Sequence, residues 1–324
     1  MKFLYLMDPM HQLNPECDTT LALQRASQQR AHECFHCLLQ DIAVERGEAF
    51  AWMRRILPLS TTPPFELGTV EKVSLRHMDA FFLRKDPPVD SLFLHTTLLL
   101  EIMRNQLLFI NDPRGLREAN EKLYILHFPS LIPTTLVSSH TPHILEFLAT
   151  VGGKAIAKPI DRAGGAGIMI LQQKDPNTRS ILEMLTQEGS KPIIVQQFIA
   201  EVSQGDKRIL LLDGNILGAI NRVPQQDDFR SNIHVGGRVE PCEVTLRERQ
   251  IVDELAPRLR RDGLLLVGID VIGGKLTEIN VTSPTGLQQL SRHVGREVSI
   301  EVIQWVEEQV LMRSDFNEVG FIPC

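Results

Sequence analysis

Asp270, Glu278 and Asn280 flank a Gly273-Gly274 turn, and their types and spacing suit them to hold a cation. Glu278 and Asn280 are two residues apart, so on a strand they share a face. With a three-residue loop, Gly273-Gly274-Lys275, Ile272 faces Leu276 and Asp270 faces Glu278. A two-residue loop puts the two carboxylates on opposite faces. Carboxylates directly opposed across a sheet repel each other. A divalent cation turns that repulsion into attraction, and an all-oxygen donor set suits Mg²⁺, which shares its shell with water and substrate phosphates. The competing reading is a solvated acidic hairpin. The apolar neighbours Leu276, Ile279 and Val281 speak against full exposure.

Other residues suit phosphate. Asp161-Arg162-Ala163-Gly164-Gly165-Ala166-Gly167 joins two strand-like runs, 154–158 and 168–172. It matches neither GxxxxGK[ST] nor a GxGxxG between strand and helix. Backbone N–H groups at a glycine-rich hairpin tip, with Lys158 just before it, can still close over phosphates as a lid. The alternative is a simple turn. Lys207, Arg208 and Arg222 begin and end one hairpin, and Arg230 and Arg238 lie in the segment 223–240 with Gly236-Gly237. Arginine grips a carboxylate or phosphate through two parallel hydrogen bonds. Cys34-Phe35-His36-Cys37 has CxxC spacing, but on a strand positions three apart face opposite sides, so the expectation is packing rather than chelation.

The elements that must position these groups change character along the chain. In the first 120 residues, short apolar runs (2–7, 34–39, 79–83, 107–110) alternate with helical patterns after Asp18 and Asp90, which predicts βαβ units and a parallel sheet. Polar tips follow three of those strands: Asp8-Pro9, Arg84-Lys85-Asp86-Pro87-Pro88 and Asn111-Asp112-Pro113. They form either one shared binding edge at the carboxyl ends of the strands or ordinary turns. After about residue 150, hairpin signals dominate, with turns at 213–215 and 273–274 and helices over 178–188, 246–261 and 300–312. The expected class is α/β, becoming α+β in the second half.

Composition sets outer limits. The 324 residues are 43% hydrophobic and 23% charged, with a net charge of −6, ordinary for a globular chain with a core. Global attraction to nucleic acid or an anionic membrane is not expected. The apolar opening stops at Asp8-Pro9, and no run approaches a membrane span, which predicts a cytoplasmic protein. Five scattered cysteines argue against a disulfide framework.

Several motifs occur in a fixed order: Met7-Asp8-Pro9, Arg84-Lys85-Asp86-Pro87-Pro88, Asn120-Glu121-Lys122-Leu123, Lys158-Pro159, Gly164-Gly165, Gly205-Asp206-Lys207-Arg208, Gly268–Gly273 and Thr277–Thr285. In these the chain resembles the bacterial glutathione synthetases, which are ATP-grasp enzymes, from residue 1 to about 310. The resemblance implies an ATP-grasp fold preceded by an open parallel-sheet domain. Its units would be 1–121, a central part 122–203 with the glycine-rich lid, a part 204–312 with the metal site, and a tail 313–324. It implies that ATP is bound by Lys122, Lys158, Gly164, Gly165 and Asp206, with the hinge Gln196-Gln197-Phe198-Ile199 holding adenine. Asp270, Glu278 and Asn280 would hold Mg²⁺ or Mn²⁺. Arg208 and Arg222 would face the reacting groups, and Arg84, Arg230, Ser283 and Thr285 the peptide substrate.

The reaction implied is ATP-driven joining of γ-glutamylcysteine and glycine through an acyl phosphate, by a homo-oligomer, a tetramer in the family. The chain departs from the family pattern at Arg162, where glycine is expected. It departs again at Arg230–Gly237, where Ile233, His234 and Val235 replace smaller residues. The second departure leaves open another carboxylate–amine pair. A nucleotide-binding paralogue without turnover is a further alternative, opposed by the retained metal and phosphate residues.

Overall fold

The computed structural model describes residues 1–57, 66–225 and 238–319. The first sheet contains β1 (Lys2–Met7), β2 (Glu33–Cys37), β3 (Ile42–Glu45), β4 (Glu48–Ile56), β5 (Leu67–Ser74), β6 (Ala80–Arg84) and β7 (Leu108–Ile110). Strands β2, β1, β6 and β7 lie side by side and parallel, as the alternation with α1 (Thr19–Gln29) and α2 (Ser91–Glu101) predicts. Asp18 and Asp90 cap these helices by accepting from Leu21 N at 2.8 Å and Phe93 N at 2.9 Å. The sheet is not wholly parallel, however: β3, β4 and β5 extend it as an antiparallel ribbon. The β3–β4 turn is Arg46-Gly47, with φ of 54° and 79°. An arginine in the left-handed region is not a residue from which a hairpin is read.

A short helix, α3 (Pro113–Glu118), leads to a four-stranded antiparallel sheet of β8 (Thr135–Ser138), β9 (Lys154–Pro159), β10 (Met169–Gln172) and β11 (Ile193–Gln197). Helices α4 (Thr141–Thr150) and α5 (Thr178–Thr186) cover one face with their own apolar cluster around Ile144, Leu148 and Leu182. The last sheet has the order β14-β13-β12-β15-β16. It comprises β12 (Asp206–Leu212), β13 (Asn215–Val223), β14 (Arg238–Pro241), β15 (Leu266–Ile272) and β16 (Lys275–Asn280). Helix α6 (Leu246–Arg261) starts at a capping box between Thr245 and Glu248, and α7 (Leu287–Val294) and α8 (Val298–Val319) follow the sheet. Helix α8 is longer than the sequence pattern indicates. Its Val302, Ile303 and Val306 join Phe3, Tyr5 and Leu21 in one buried cluster, so it roofs the first sheet.

The third polar tip is a fastening. Asn111 is buried; its amide nitrogen donates to Leu266 O (2.9 Å) and Val281 O (2.7 Å), and its oxygen accepts from Leu265 N and Leu266 N (2.7 Å each). Asp112 caps α3 and its N–H donates to Gly263 O at 3.0 Å. The Asn111 tip therefore rivets the first sheet to the β15–β16 hairpin instead of joining a ligand edge. Cys34 and Cys37 fall into different apolar clusters on opposite sides of β2, as the strand period requires.

Replacing Asn111 by alanine removes the side-chain partner of four backbone groups, three of them buried. The expected cost is about 3–4 kcal/mol, read as a fall in the urea midpoint at unchanged slope. Burial pushes the Cys34 thiol up to about 12 and raises Cys37 well above its ordinary value. Iodoacetamide at pH 8 should therefore spare both in the folded protein and label both in urea, as peptide mass mapping would show.

Candidate functional site

The functional face is a register row across the five-stranded sheet. Arg208 on β12 lies opposite Asp270 on β15, and Asp270 lies opposite Glu278 on β16. Asp206, two residues before Arg208, lies opposite Arg222 on β13. The β15–β16 loop is the two-residue Gly273-Gly274, with Ile272 paired to Lys275, and not the three-residue loop. That loop alone would separate the carboxylates. Thr277 is bulged between the pairs Val271–Leu276 and Asp270–Glu278, and this one extra residue brings Glu278 back opposite Asp270. The Thr277 hydroxyl secures the bulge by donating to Asp270 O at 3.1 Å.

The row is buried and charged. Arg208 grips Asp270 with two bonds of 2.5 and 3.1 Å, and Arg222 reaches Asp270 at 3.0 Å and Asp206 at 2.6 Å. Burial works against the charge of Asp270, but Arg208 and Arg222 outweigh it and hold the carboxyl well below the usual range. Burial also opposes the charge of Arg222, and Asp206 and Asp270 overcome it, raising its pKa. Asn280 donates to Gly268 O at 3.1 Å and to Asp270 Oδ2 at 3.3 Å. Gly268 makes room: a methyl group there would lie 2.9 Å from Arg208 Cδ and 3.2 Å from Pro284 Cβ.

The two lysines arrive from other elements. Lys122 is buried, lies 3.1 Å from Glu278 Oε1, and donates to the carbonyl of Arg162 in the glycine-rich loop. Lys158, at the end of β9, donates to Gln196 Oε1 at 3.0 Å; burial lowers its pKa, with Glu278 acting in the opposite sense. Gly164 and Gly165 have φ of 66° and 80°, so this loop is a true glycine turn between β9 and β10.

A cleft lies between the four-stranded and five-stranded sheets. Lys158, Gln196, Asp206, Asp270 and Glu278 line its polar side, and Ile156, Phe198, Ile199 and Ile272 its apolar side. At the hinge, Gln197 N and Phe198 N already donate to Thr134 O (2.9 Å) and Lys154 O (3.3 Å), and the Lys154 ammonium sits 3.7 Å from the Phe198 ring centre.

Not every expected residue converges here. Lys207 alternates to the other face of β12 and pairs with Glu248 at 2.8 Å, and Arg238 pairs with Glu240 at the surface. Arg84 is buried and spends its guanidinium on Thr20 Oγ1 (3.2 Å) and Pro284 O (2.9 Å). Thr285 meets Arg208 through its backbone carbonyl at 3.2 Å, and Ser283 is half-buried in the same segment. Arg230 lies outside the described residues, as does most of the second expected lid. The first two polar tips do meet: Asp8 pairs with Lys85 at 2.8 Å and accepts from Asp86 N at 2.9 Å.

Glu121 escaped the sequence reading of individual residues. Its Oε1 accepts from Val281 N (3.0 Å), Thr282 N (3.2 Å) and Thr282 Oγ1 (2.6 Å). Burial, and then the nearby Glu278, raise its pKa, and these three hydrogen bonds act the other way. Its position beside Lys122 was the available signal.

Two ionised or ionisable carboxylates and an amide on adjacent strands are hard oxygen donors and fit a small divalent cation. Among the described residues, no group of three or more His, Cys, Asp or Glu side chains gathers as a self-sufficient metal cage. A cation here would draw further ligands from a bound phosphate.

Residues 1–117 match the N-terminal domain of prokaryotic glutathione synthetase, and residues 121–295 its ATP-grasp domain. A glutathione synthetase from Synechocystis sp. is 42% identical over 320 residues, spanning 95% of this chain and 100% of that protein. Among solved structures, D-cycloserine synthetase DcsG aligns with a TM-score of 0.67 at 14% identity, over 95% of this chain and 99% of that one. The ATP-grasp ligase PsnB, solved with a precursor peptide and AMPPNP, aligns with a TM-score of 0.61 at 14% identity, over 95% and 98%. These two share the fold, and the sequence match goes further: the chain belongs to the prokaryotic glutathione synthetase family.

Proposed function

We propose that this chain joins the cysteinyl carboxylate of γ-glutamylcysteine to the amine of glycine, with conversion of ATP to ADP and phosphate. It is an ATP-dependent ligase with the ATP-grasp fold. The observation that carries the site assignment is the Arg208–Asp270–Glu278 row at the polar edge of the inter-sheet cleft, with Lys122 and Lys158 beside it.

The adenine would lie on Ile156, Phe198, Ile199 and Ile272, between the sheets. Lys122, Lys158 and the backbone of Gly164 and Gly165 would receive the phosphates, and Asp206 the ribose. Asp270, Glu278 and Asn280 would hold Mg²⁺ or Mn²⁺, which when bound offsets the negative charge of the transferring phosphoryl group. The cysteinyl carboxylate oxygen attacks the γ-phosphorus and ADP leaves. The glycine amine then attacks the acyl carbon, loses a proton, and phosphate departs. Arg208 and Arg222 would orient the carboxylate and stabilise charge spreading over the phosphoryl oxygens, a positioning and electrostatic role that needs no covalent protein intermediate. Arg84, Arg230, Ser283 and Thr285 would form the peptide side of the site. For Arg84 and Thr285 the contribution is to shape the 284–285 backbone that borders Arg208.

The proposed units are 1–121, 122–203 and 204–312, with a tail at 313–324. We assign the working form to a cytoplasmic homotetramer. No helix among the described residues is long and apolar enough to cross a membrane.

Phosphate release from ATP, measured with both γ-glutamylcysteine and glycine and with each omitted, tests the reaction. Release should require both and yield glutathione. Release with only some other carboxylate–amine pair would keep the ligase and discard the substrates. Glu278→Ala should abolish metal-dependent turnover, falling by at least about a hundredfold. Because the Glu278 side chain is 21% exposed and, among the described residues, forms an ion pair with Lys122 alone, its loss should leave the far-UV spectrum unchanged. Near-native activity in that variant would remove Glu278 from the metal site.

A further inference from the structure

We infer that Glu121 is a positioning residue for the ligation step, holding the segment after β16 so that its carbonyls fix Arg208 and Arg84. The inference rests on the functional reading above. Strand β16 is an edge of its sheet, and its outer side is closed by residues at and just after the start of the central unit: Leu131 O accepts from Leu276 N, and Glu121 O from Ile279 N, both at 3.0 Å. Where the strand ends, the Glu121 carboxylate takes over. It gathers the N–H groups of Val281 and Thr282 and the Thr282 hydroxyl onto one oxygen.

Two and three residues later the chain presents Pro284 O to Arg84 and Thr285 O to Arg208. Arg208 in turn grips Asp270. The neighbours of Glu121 work in the same direction. Asn120 donates to Ile160 O at the base of the glycine-rich loop, and Lys122 holds Glu278. A half-buried carboxylate within electrostatic reach of Glu278 is an expensive choice for a merely structural turn, since an uncharged side chain could cap the same donors without repulsion. The hinge at 196–199 and Lys158 stand on the opposite sheet and make no hydrogen bond to this segment.

Removing the acceptor should therefore disturb the reacting end of the site and spare the nucleotide end. Glu121→Ala, Glu121→Gln and Thr282→Val are to be compared with the unchanged protein for kcat, for KM of ATP and of γ-glutamylcysteine, and for the number of nucleotide sites by titration. Glu121→Ala should lower kcat per nucleotide site by about ten- to a hundredfold, the scale of a small misplacement of reacting groups. KM for ATP should stay within about threefold. Glu121→Gln keeps an oxygen acceptor and should recover most of kcat, and Thr282→Val should fall between them. Adding Thr282→Val to Glu121→Ala should cost little more, because both remove one network.

A loss of active sites with unchanged kcat per remaining site would overturn the inference and leave Glu121 a stabilising residue. Unchanged kcat, or a KM for ATP that rises as kcat falls, would also overturn it. If Glu121→Ala does not fold, Glu121→Gln and Thr282→Val decide by the same criteria. Absence of glutathione with the unchanged protein would overturn the functional reading and this inference with it, whereas an active parent with indifferent variants overturns this inference alone.

Discussion

Arg208 and Arg222 converge on Asp270 in the interior of the protein, where an ion is far less comfortable than in water. Such a pairing is tolerable only if every partner is placed accurately, and most of the second half of the chain is organised to that end. Three strands must hold their register so that Arg208, Asp270 and Glu278 share a row. Gly268 must stay bare so that Arg208 can cross it. Thr277 must bulge. A buried ion pair is a weak source of stability, so its retention speaks for the positions it fixes and for the charge it presents to a ligand.

The residue types of the candidate site are legible in the sequence, and the geometry that brings them together is less so. The two-residue spacing of Glu278 and Asn280 follows directly from the strand period, and the structure keeps it. The opposition of Asp270 and Glu278 was expected from a three-residue loop, whereas it arises from a two-residue loop corrected by a bulge. A bulge leaves little trace in a residue pattern, because Thr277 fits a regular strand equally well. Alternation places Arg208 and Lys207 on opposite faces of β12, and in the sheet Lys207 turns away to Glu248.

Helix starts were readable because the cap side chain lies next in sequence to the helix it caps: Asp18, Asp90 and Thr245 all act locally. Asn111 and Glu121 were not, because their partners lie about 155 to 170 residues away and nothing in their neighbourhood announces them. The ribbon β3–β5 is faint in the sequence for a different reason. Its turn uses Arg46, and its strands alternate with charged residues on an exposed edge, where apolar periodicity is faint. Of three proline-closed tips that looked alike, two meet through Asp8 and Lys85, while the third became a structural rivet.

The roof that α8 lays over the first sheet has a temporal side. Phe3, Tyr5 and Leu21 are synthesised well before Val302, Ile303 and Val306, which cover them. At roughly 5–20 residues per second, the interval of about 200 residues between Ile110 and Val310 lasts about 10–40 s. Through that interval the nascent sheet carries a bare apolar flank.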